Sequence, residues 1–411
     1  MRSNRPMKQT AAFAVRSLSA WSRLPMLAMA LLSCQPSTEH DAPVSPEFDA
    51  AHFGHPDSVL FWRPDQQLAS FRNYERIFPT RTIRASPHPF PLPQAIRDLS
   101  SIRYEIDGDT FDLAAFRNHN NVAGLLVIKD GHIVHEGYGL GNGPDTRWVS
   151  YSVAKSVVSM LVGAAIRDGY VGSVDDPVAN YVPILKGGAY EGVSLRNVLQ
   201  MSSGVAWNED YTDPRANVSE VIPLTALQRL QYLSRLPRAE PPGQLFNYST
   251  GEAELVGAVL RGAVGNNLST YLEATIWQSF GMESDANWML VEPGGAEQGG
   301  CCLSATLRDY GRIGLFALRG GVLPNGEHVL PRDWMAQSTM PSPTNDGYGY
   351  LWWLRGDGVF SASGIFGQAI IVDPAQRLVV VTHSVWPTPT HSDMSAHRNA
   401  LYAAIREALE L

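Results

Sequence analysis

Residues 148–162 read Trp148-Val149-Ser150-Tyr151-Ser152-Val153-Ala154-Lys155-Ser156-Val157-Val158-Ser159-Met160-Leu161-Val162. From Ser152 to Ile166 the run is apolar, with small residues on several faces. It is too short to span a bilayer, so the pattern predicts a buried helix. Lys155 is its only charge before Arg167. Ser152 and Lys155 stand three apart, on one helix face, so hydroxyl and amine can meet. Desolvation and the helix dipole disfavour the charged amine there. A neutral amine can take the serine proton and leave a nucleophile. The same four residues also allow a plainer reading, in which Ser152 caps the helix and Lys155 snorkels to solvent.

The setting of this S-x-x-K resembles the serine β-lactamase and penicillin-binding superfamily, whose signature adds two later motifs. The resemblance implies a Tyr-x-Asn about a hundred residues on, as in the class C and esterase branch. Here Pro242-Gly243-Gln244-Leu245-Phe246-Asn247-Tyr248-Ser249-Thr250 places Tyr248 96 residues after Ser152, with Thr250 where Asn is usual. By resemblance Tyr248 is the proton shuttle, held near Lys155; the plain alternative is a packed tyrosine whose hydroxyl makes a structural hydrogen bond. The third motif corresponds to Ala362-Ser363-Gly364, followed by Ile365-Phe366-Gly367-Gln368 on an edge strand. Ala362 stands where a cation or donor would hold a substrate carboxylate, which weakens a β-lactam reading. The backbone N–H groups of Ser152 and Ile365 would form the oxyanion hole.

Further stretches resemble one sub-branch, the 6-aminohexanoate-oligomer (nylon oligomer) hydrolases and related esterases. They are Leu199–Gly204, Trp207-Asn208-Glu209-Asp210-Tyr211-Thr212-Asp213-Pro214, Gly281–Trp288 and Ser304–Arg312. The resemblance spans roughly residues 60–400. It implies that Tyr211 is a loop tyrosine touching the scissile amide, where the plain alternative is an aromatic pinning a loop. Asp210 and Asp213 would attract an amino terminus, where the plain alternative is a pair of solvated loop acids. Thr250, Ser363 and Gly364 would touch substrate. Trp207, Trp288 and Phe366 either wall an apolar cleft or pack in the core.

Outward from these motifs, Asn121–Gly139 holds two β-rich runs flanking Lys129-Asp130-Gly131, and Asp-Gly signals a hairpin. Residues 175–340 alternate loops with helical patterns. Strands are expected at Tyr348–Leu354, Val359–Ser361, Gln368–Val372 and Leu378–His383, then a helix from His397 to Leu411. Strands at both ends and helices between them give an α+β fold. By resemblance this is a β-lactamase-like antiparallel sheet flanked by helices, one domain over 58–411 with a helical insert at about 175–340.

The chain has 411 residues and net charge −8. With 44% hydrophobic residues, disorder, coiled coil and collagen-like repeats are excluded. No long basic run is present, so nucleic-acid partners are not expected. Residues 1–33 carry Arg2, Arg5, Lys8, Arg16 and Arg23, then a short apolar run, the pattern of an export signal. Cys34 resembles the acceptor of a bacterial lipoprotein signal, which implies attachment to a membrane through lipid only. An ordinary secretory signal is the alternative. Residues 34–57 read as a flexible tether. Cys301-Cys302 reads as two small buried thiols, with a vicinal disulfide the alternative. Arg308-Asp309 reads as a structural pair. No metal-ligand spacing or nucleotide loop is seen, so no metal or cofactor is expected. The expected partner is a small amide or ester, and subunit number stays open. The reading is an exported serine hydrolase. β-Lactamase, D-Ala carboxypeptidase and a non-turnover binding or sensor lipoprotein on the same fold remain alternatives.

Overall fold

The computed structural model describes residues 46–410. The signal segment 1–33, Cys34 and the tether up to residue 45 lie outside the described residues. The central element is a six-stranded antiparallel sheet in the order His132–Tyr138, Val122–Lys129, Leu378–Ser384, Gln368–Asp373, Phe360–Gly364, Trp353–Leu354. The first hairpin turns on two residues, because Lys129 pairs with His132. Asp130 (φ 53°) and Gly131 (φ 78°) both take the positive φ that such a turn requires.

Both faces of this sheet are covered. Leu126 and Ile128 pack with the helices Val153–Arg167 and Leu307–Leu318. Leu125 and Val127 pack with Leu401, Ile405 and Leu409 of the C-terminal helix Ser392–Glu410. Strand 122–129 therefore reads as an unbroken apolar run rather than an alternating one. Helix Leu307–Leu318 lies close on the sheet through Gly311 and Gly314. A Cβ at Gly314 would sit 2.5 Å from Val379 Cγ1, and one at Gly311 would sit 2.7 Å from Ile128 Cδ1.

Two expectations need correction. The segment 175–340 is not wholly helical, because Ala286–Met289 and Leu303–Thr306 are strands. They join Thr80–Ile83 and Arg147–Val149 in a second, four-stranded antiparallel sheet. Each is only four residues long and almost fully buried, so neither has room to show a period of two. The second correction concerns residues 46–57, read as tether. Pro46–Ala51 is helical and Pro56–Phe61 is a 3-10 turn. Asp49 anchors the first of these: its carboxylate accepts from Arg72 Nη2 at 2.6 Å and Arg72 Nε at 2.7 Å. Both side chains are buried, and a long-range pair of this kind leaves no local periodicity.

Helix Thr250–Val264 carries a buried carboxyl, Glu252, that accepts from Ser203 Oγ. Burial pushes it up to about 8. The native state thus keeps a proton that the unfolded chain releases near pH 4.5. Stability from this group is complete below that pH and is lost as pH rises through 8. Glu252→Gln keeps the neutral form at every pH. Its melting temperature relative to wild type therefore rises between pH 5 and pH 9 in thermal scans. A flat difference would mean that Glu252 is ionised in the fold.

Candidate active site

The chain leaves the short strand Arg147–Val149, turns, and enters helix Val153–Arg167 at Ser152. Tyr151 takes φ 45° in that turn, a region disfavoured for any residue with a Cβ. Its buried ring is clamped by Phe71 (5.1 Å) and Phe366 (5.2 Å between centroids). The capping alternative fails, since the Ser152 side chain makes no hydrogen bond to the helix N-terminus. Its Oγ lies 2.9 Å from Lys155 Nζ and faces a cavity of about 820 Å³.

Lys155 does not snorkel; it is 2% exposed. Besides Ser152 Oγ, its Nζ reaches Thr250 Oγ1 at 3.1 Å and Gly300 O at 2.8 Å. A neutral amine has two N–H groups and one lone pair. If the two N–H groups go to Thr250 and Gly300, the lone pair points at Ser152 Oγ, the arrangement a general base needs. Thr250 Oγ1 is able to accept because its own proton goes to Glu209 Oε1.

Glu209 is the residue that sequence reading missed. It also accepts from Tyr211 OH (2.8 Å), from Thr250 N (2.9 Å) and from Trp207 Nε1. It therefore ties the 207–211 loop to the start of helix Thr250–Val264. A signal was present: in an extended loop, residues 207, 209 and 211 share one side and 210 the other. Gly300 acts through its backbone, which no side-chain pattern reports. Its own N–H donates to Glu254 Oε1 at 3.1 Å.

Tyr248 and Tyr211 line the cavity with Ser152. The Tyr248 ring stacks on Trp353 at 5.5 Å, and Lys155 Nζ lies 5.3 Å from its centre. Burial and the nearby Glu209 carboxylate push the Tyr211 hydroxyl well above its ordinary range. Ser363, Gly364 and Ile365 also line the cavity. Gly364 presses on the serine turn: a Cβ there would lie 2.5 Å from Ser150 O and 3.2 Å from Ser152 N. Residue 364 therefore packs directly against the turn that carries Ser152, with no room for a side chain. Strand Phe360–Gly364 is not the outermost of its sheet, being flanked by the two-residue strand Trp353–Leu354.

Other expected residues are not brought to the cavity. Asp210 is exposed and closes a local turn, accepting from Thr212 N at 2.9 Å. Asp213 likewise accepts from Arg215 N at 2.9 Å. Trp207 is buried, donates to Glu209 and covers Gly251. Phe366 and Trp288 are fully buried. In each case core packing outweighs exposure to a cleft. Arg308 and Asp309 do not pair with each other. Arg308 Nε donates to Glu136 at 2.7 Å, and Asp309 accepts from Arg312 at 3.1 Å, since adjacent helix residues point apart. Cys301 and Cys302 are joined as a vicinal disulfide rather than left as thiols. Cys302 takes φ 138°, which breaks the alternation that would otherwise part adjacent side chains. His119, Asp393 and His397 bring possible metal-ligand atoms within 4.8 Å of one another, and none of them lines the cavity.

Comparison with known proteins accords with this geometry. The Beta-lactamase family model matches residues 113–405. The chain is 29% identical over 312 residues to the 6-aminohexanoate-dimer hydrolase of Paenarthrobacter ureafaciens, covering 70% of this chain and 78% of that one. A beta-lactamase of Pseudomonas fluorescens is 23% identical over 172 residues, 40% of this chain and 45% of that one. Among solved structures, a Bacillus anthracis protein provisionally named 6-aminohexanoate-dimer hydrolase superposes with a TM-score of 0.77 at 21% identity. That match covers 84% of this chain and 95% of the other. The match to the family model takes in both ends of the large sheet and everything between them, and the chain belongs to the Beta-lactamase family as a serine hydrolase of that fold.

Proposed function

We propose that the protein hydrolyses small linear amides or esters through an acyl-enzyme on Ser152. The observation that carries this is the buried Lys155 amine, directed by Thr250 and Gly300 toward Ser152 Oγ, with Ser152 in the lining of a cavity. Ser152 Oγ attacks the carbonyl carbon and gives its proton to Lys155 Nζ. The carbonyl oxygen, now negative, is held by the amides of Ser152 and Ile365. The proton that Lys155 took from Ser152 passes through Tyr248, which lies beside the amine, to the departing nitrogen or oxygen, and the C–N or C–O bond breaks. Water then attacks the ester on Ser152 and gives a proton to Lys155; the bond to Ser152 Oγ breaks, the acid leaves, and Lys155 returns that proton to the serine. Similarity to the 6-aminohexanoate-dimer hydrolase favours linear amides over β-lactams. So does Ala362, buried and without a side-chain donor.

The test is intact mass after incubation with a fluorophosphonate. Wild type gains one adduct and Ser152→Ala gains none, while both give the same circular dichroism. An adduct on the variant, or none on either protein, sinks the assignment. Release of more than one product equivalent per protein separates a hydrolase from a single-turnover sensor.

We further propose export with a lipid on Cys34, supported by the basic start and apolar run of residues 1–33 alone. Metabolic palmitate labelling that persists in Cys34→Ala would remove this reading.

A further inference from the structure

The C-terminal helix Ser392–Glu410 carries different groups on different faces of its first turns. Ser395, Arg398, Asn399 and Tyr402 line the Ser152 cavity. Asp393 and His397 do not line it; they stand four residues apart on another face. There they meet His119, the last residue of helix Leu113–His119. His119 Nε2 lies 2.7 Å from Asp393 Oδ2, and His397 Nε2 lies 3.8 Å from Asp393 Oδ1. Possible ligand atoms of all three fall within 4.8 Å of one another. His119 is 274 positions from Asp393, so no spacing in the sequence announces the group.

The three residues are braced from behind. Asn120 Nδ2 donates to Met394 O at 2.8 Å, a buried bond that ties the end of one helix to the start of the other. His397 is buried. Its Nδ1 lies 2.9 Å from Tyr104 OH, the Phe111 ring meets it edge-on at 4.6 Å, and the His119 ring stacks on it at 4.1 Å. A hydrogen bond on the far nitrogen is how metal-binding imidazoles are oriented, and with Nδ1–H given to the tyrosine oxygen, Nε2 keeps its lone pair. At 3.8 Å that Nε2 is beyond hydrogen-bond reach of the carboxylate. An exposed His119–Asp393 pair accounts for the 2.7 Å contact but does not call for a second, buried imidazole beside it. Tetrahedral zinc with bonds of about 2.0 Å sets its ligand atoms roughly 3.3 Å apart. The separations of 2.7 and 3.8 Å fall on either side of that value, and His119 and Asp393 are exposed and free to adjust. Two imidazoles and one carboxylate suit zinc and its neighbours; magnesium and calcium prefer oxygen throughout.

We propose that His119, Asp393 and His397 bind one divalent transition-metal ion such as Zn2+, which clamps the start of the C-terminal helix to helix Leu113–His119. Solvent reaches the exposed side, so water completes the coordination. The ion is structural, because its ligands lie outside the Ser152 cavity, and the site stands independently of the chemistry at Ser152.

The test uses untagged full-length protein carrying Cys34→Ala, so that the thiol of Cys34 does not compete. The protein is stripped with a chelator and titrated with ZnCl2 by calorimetry. It takes up one equivalent at micromolar concentrations, and MgCl2 gives no uptake. Its melting temperature rises with zinc, because the ion binds the folded chain. His119→Gln and Asp393→Asn each weaken zinc uptake by roughly tenfold or more and lose the thermal shift. An exposed pair contributes little to stability, so both variants fold without metal, which circular dichroism checks. No zinc uptake by the parent protein, equal uptake of Mg2+, or a weakening below about tenfold in either variant overturns the site.

Discussion

Lys155→Met loses roughly 10^3-fold or more in turnover, the size of effect expected when a positioned general base is removed. The rate of phosphonylation of Ser152 falls in parallel, because both reactions need the serine proton taken. Methionine fills the volume but cannot accept a proton. Ser152 Oγ then has its ordinary, weak nucleophilicity. The variant also removes a buried amine that has no carboxylate beside it among the described residues, so its melting temperature does not fall as steeply as its activity. Gly300 O loses its 2.8 Å donor, which sets the limit on any gain. Activity within tenfold of wild type would show that the proton leaves by another route. Tyr248, with its ring beside the amine, would be the first group to test.

Glu209→Gln is expected to affect both activity and stability. Glu209 Oε1 accepts from Thr250 Oγ1 and Tyr211 OH, and Oε2 accepts from Thr250 N and Trp207 Nε1. A glutamine has one carbonyl oxygen and one NH2 group. Whichever way it lies, two donors then face a third donor. Each broken, part-buried bond costs on the order of 1–3 kcal/mol. The melting temperature drops by several degrees, on the order of 2–4 °C per kcal/mol for a large domain. Thr250 turns away to satisfy itself and no longer fixes the Lys155 amine. Turnover falls about 10^2-fold, mainly in kcat, as expected for a residue that acts by positioning another. Glu209→Asp keeps the charge on a shorter arm and recovers part of the stability but less of the rate. Unchanged kcat in Glu209→Gln would mean that the Thr250–Lys155 contact does not matter to catalysis.

Two features were legible in the sequence because they are local. The three-residue spacing of Ser152 and Lys155 on an apolar helix needs no partner to be recognised. The Asp130-Gly131 turn is likewise written in two adjacent residues. The apolar run 122–129 reads as a strand for the same reason, although only its packing shows why both faces are apolar. Tyr248, Ser363, Gly364 and Ile365 were reached through resemblance of short motifs, and the structure places all four around the Ser152 cavity.

What the sequence by itself determined was the fold class, the serine–lysine pair and the loop 207–214 as a neighbour of the site. Tertiary structure decided which acid of that loop points inward: Glu209 does, and Asp210 does not. It decided that residues 46–57 pack on the domain through Asp49 and Arg72, and that two short strands inside the helical middle build a second sheet. It also brought Arg355 and Arg398, 43 positions apart, into the lining of one cavity. The physical reason is common to all of these. Hydrogen-bond partners, buried charges and two-faced burial are set by chain segments distant in sequence, and no period or spacing within a segment records them.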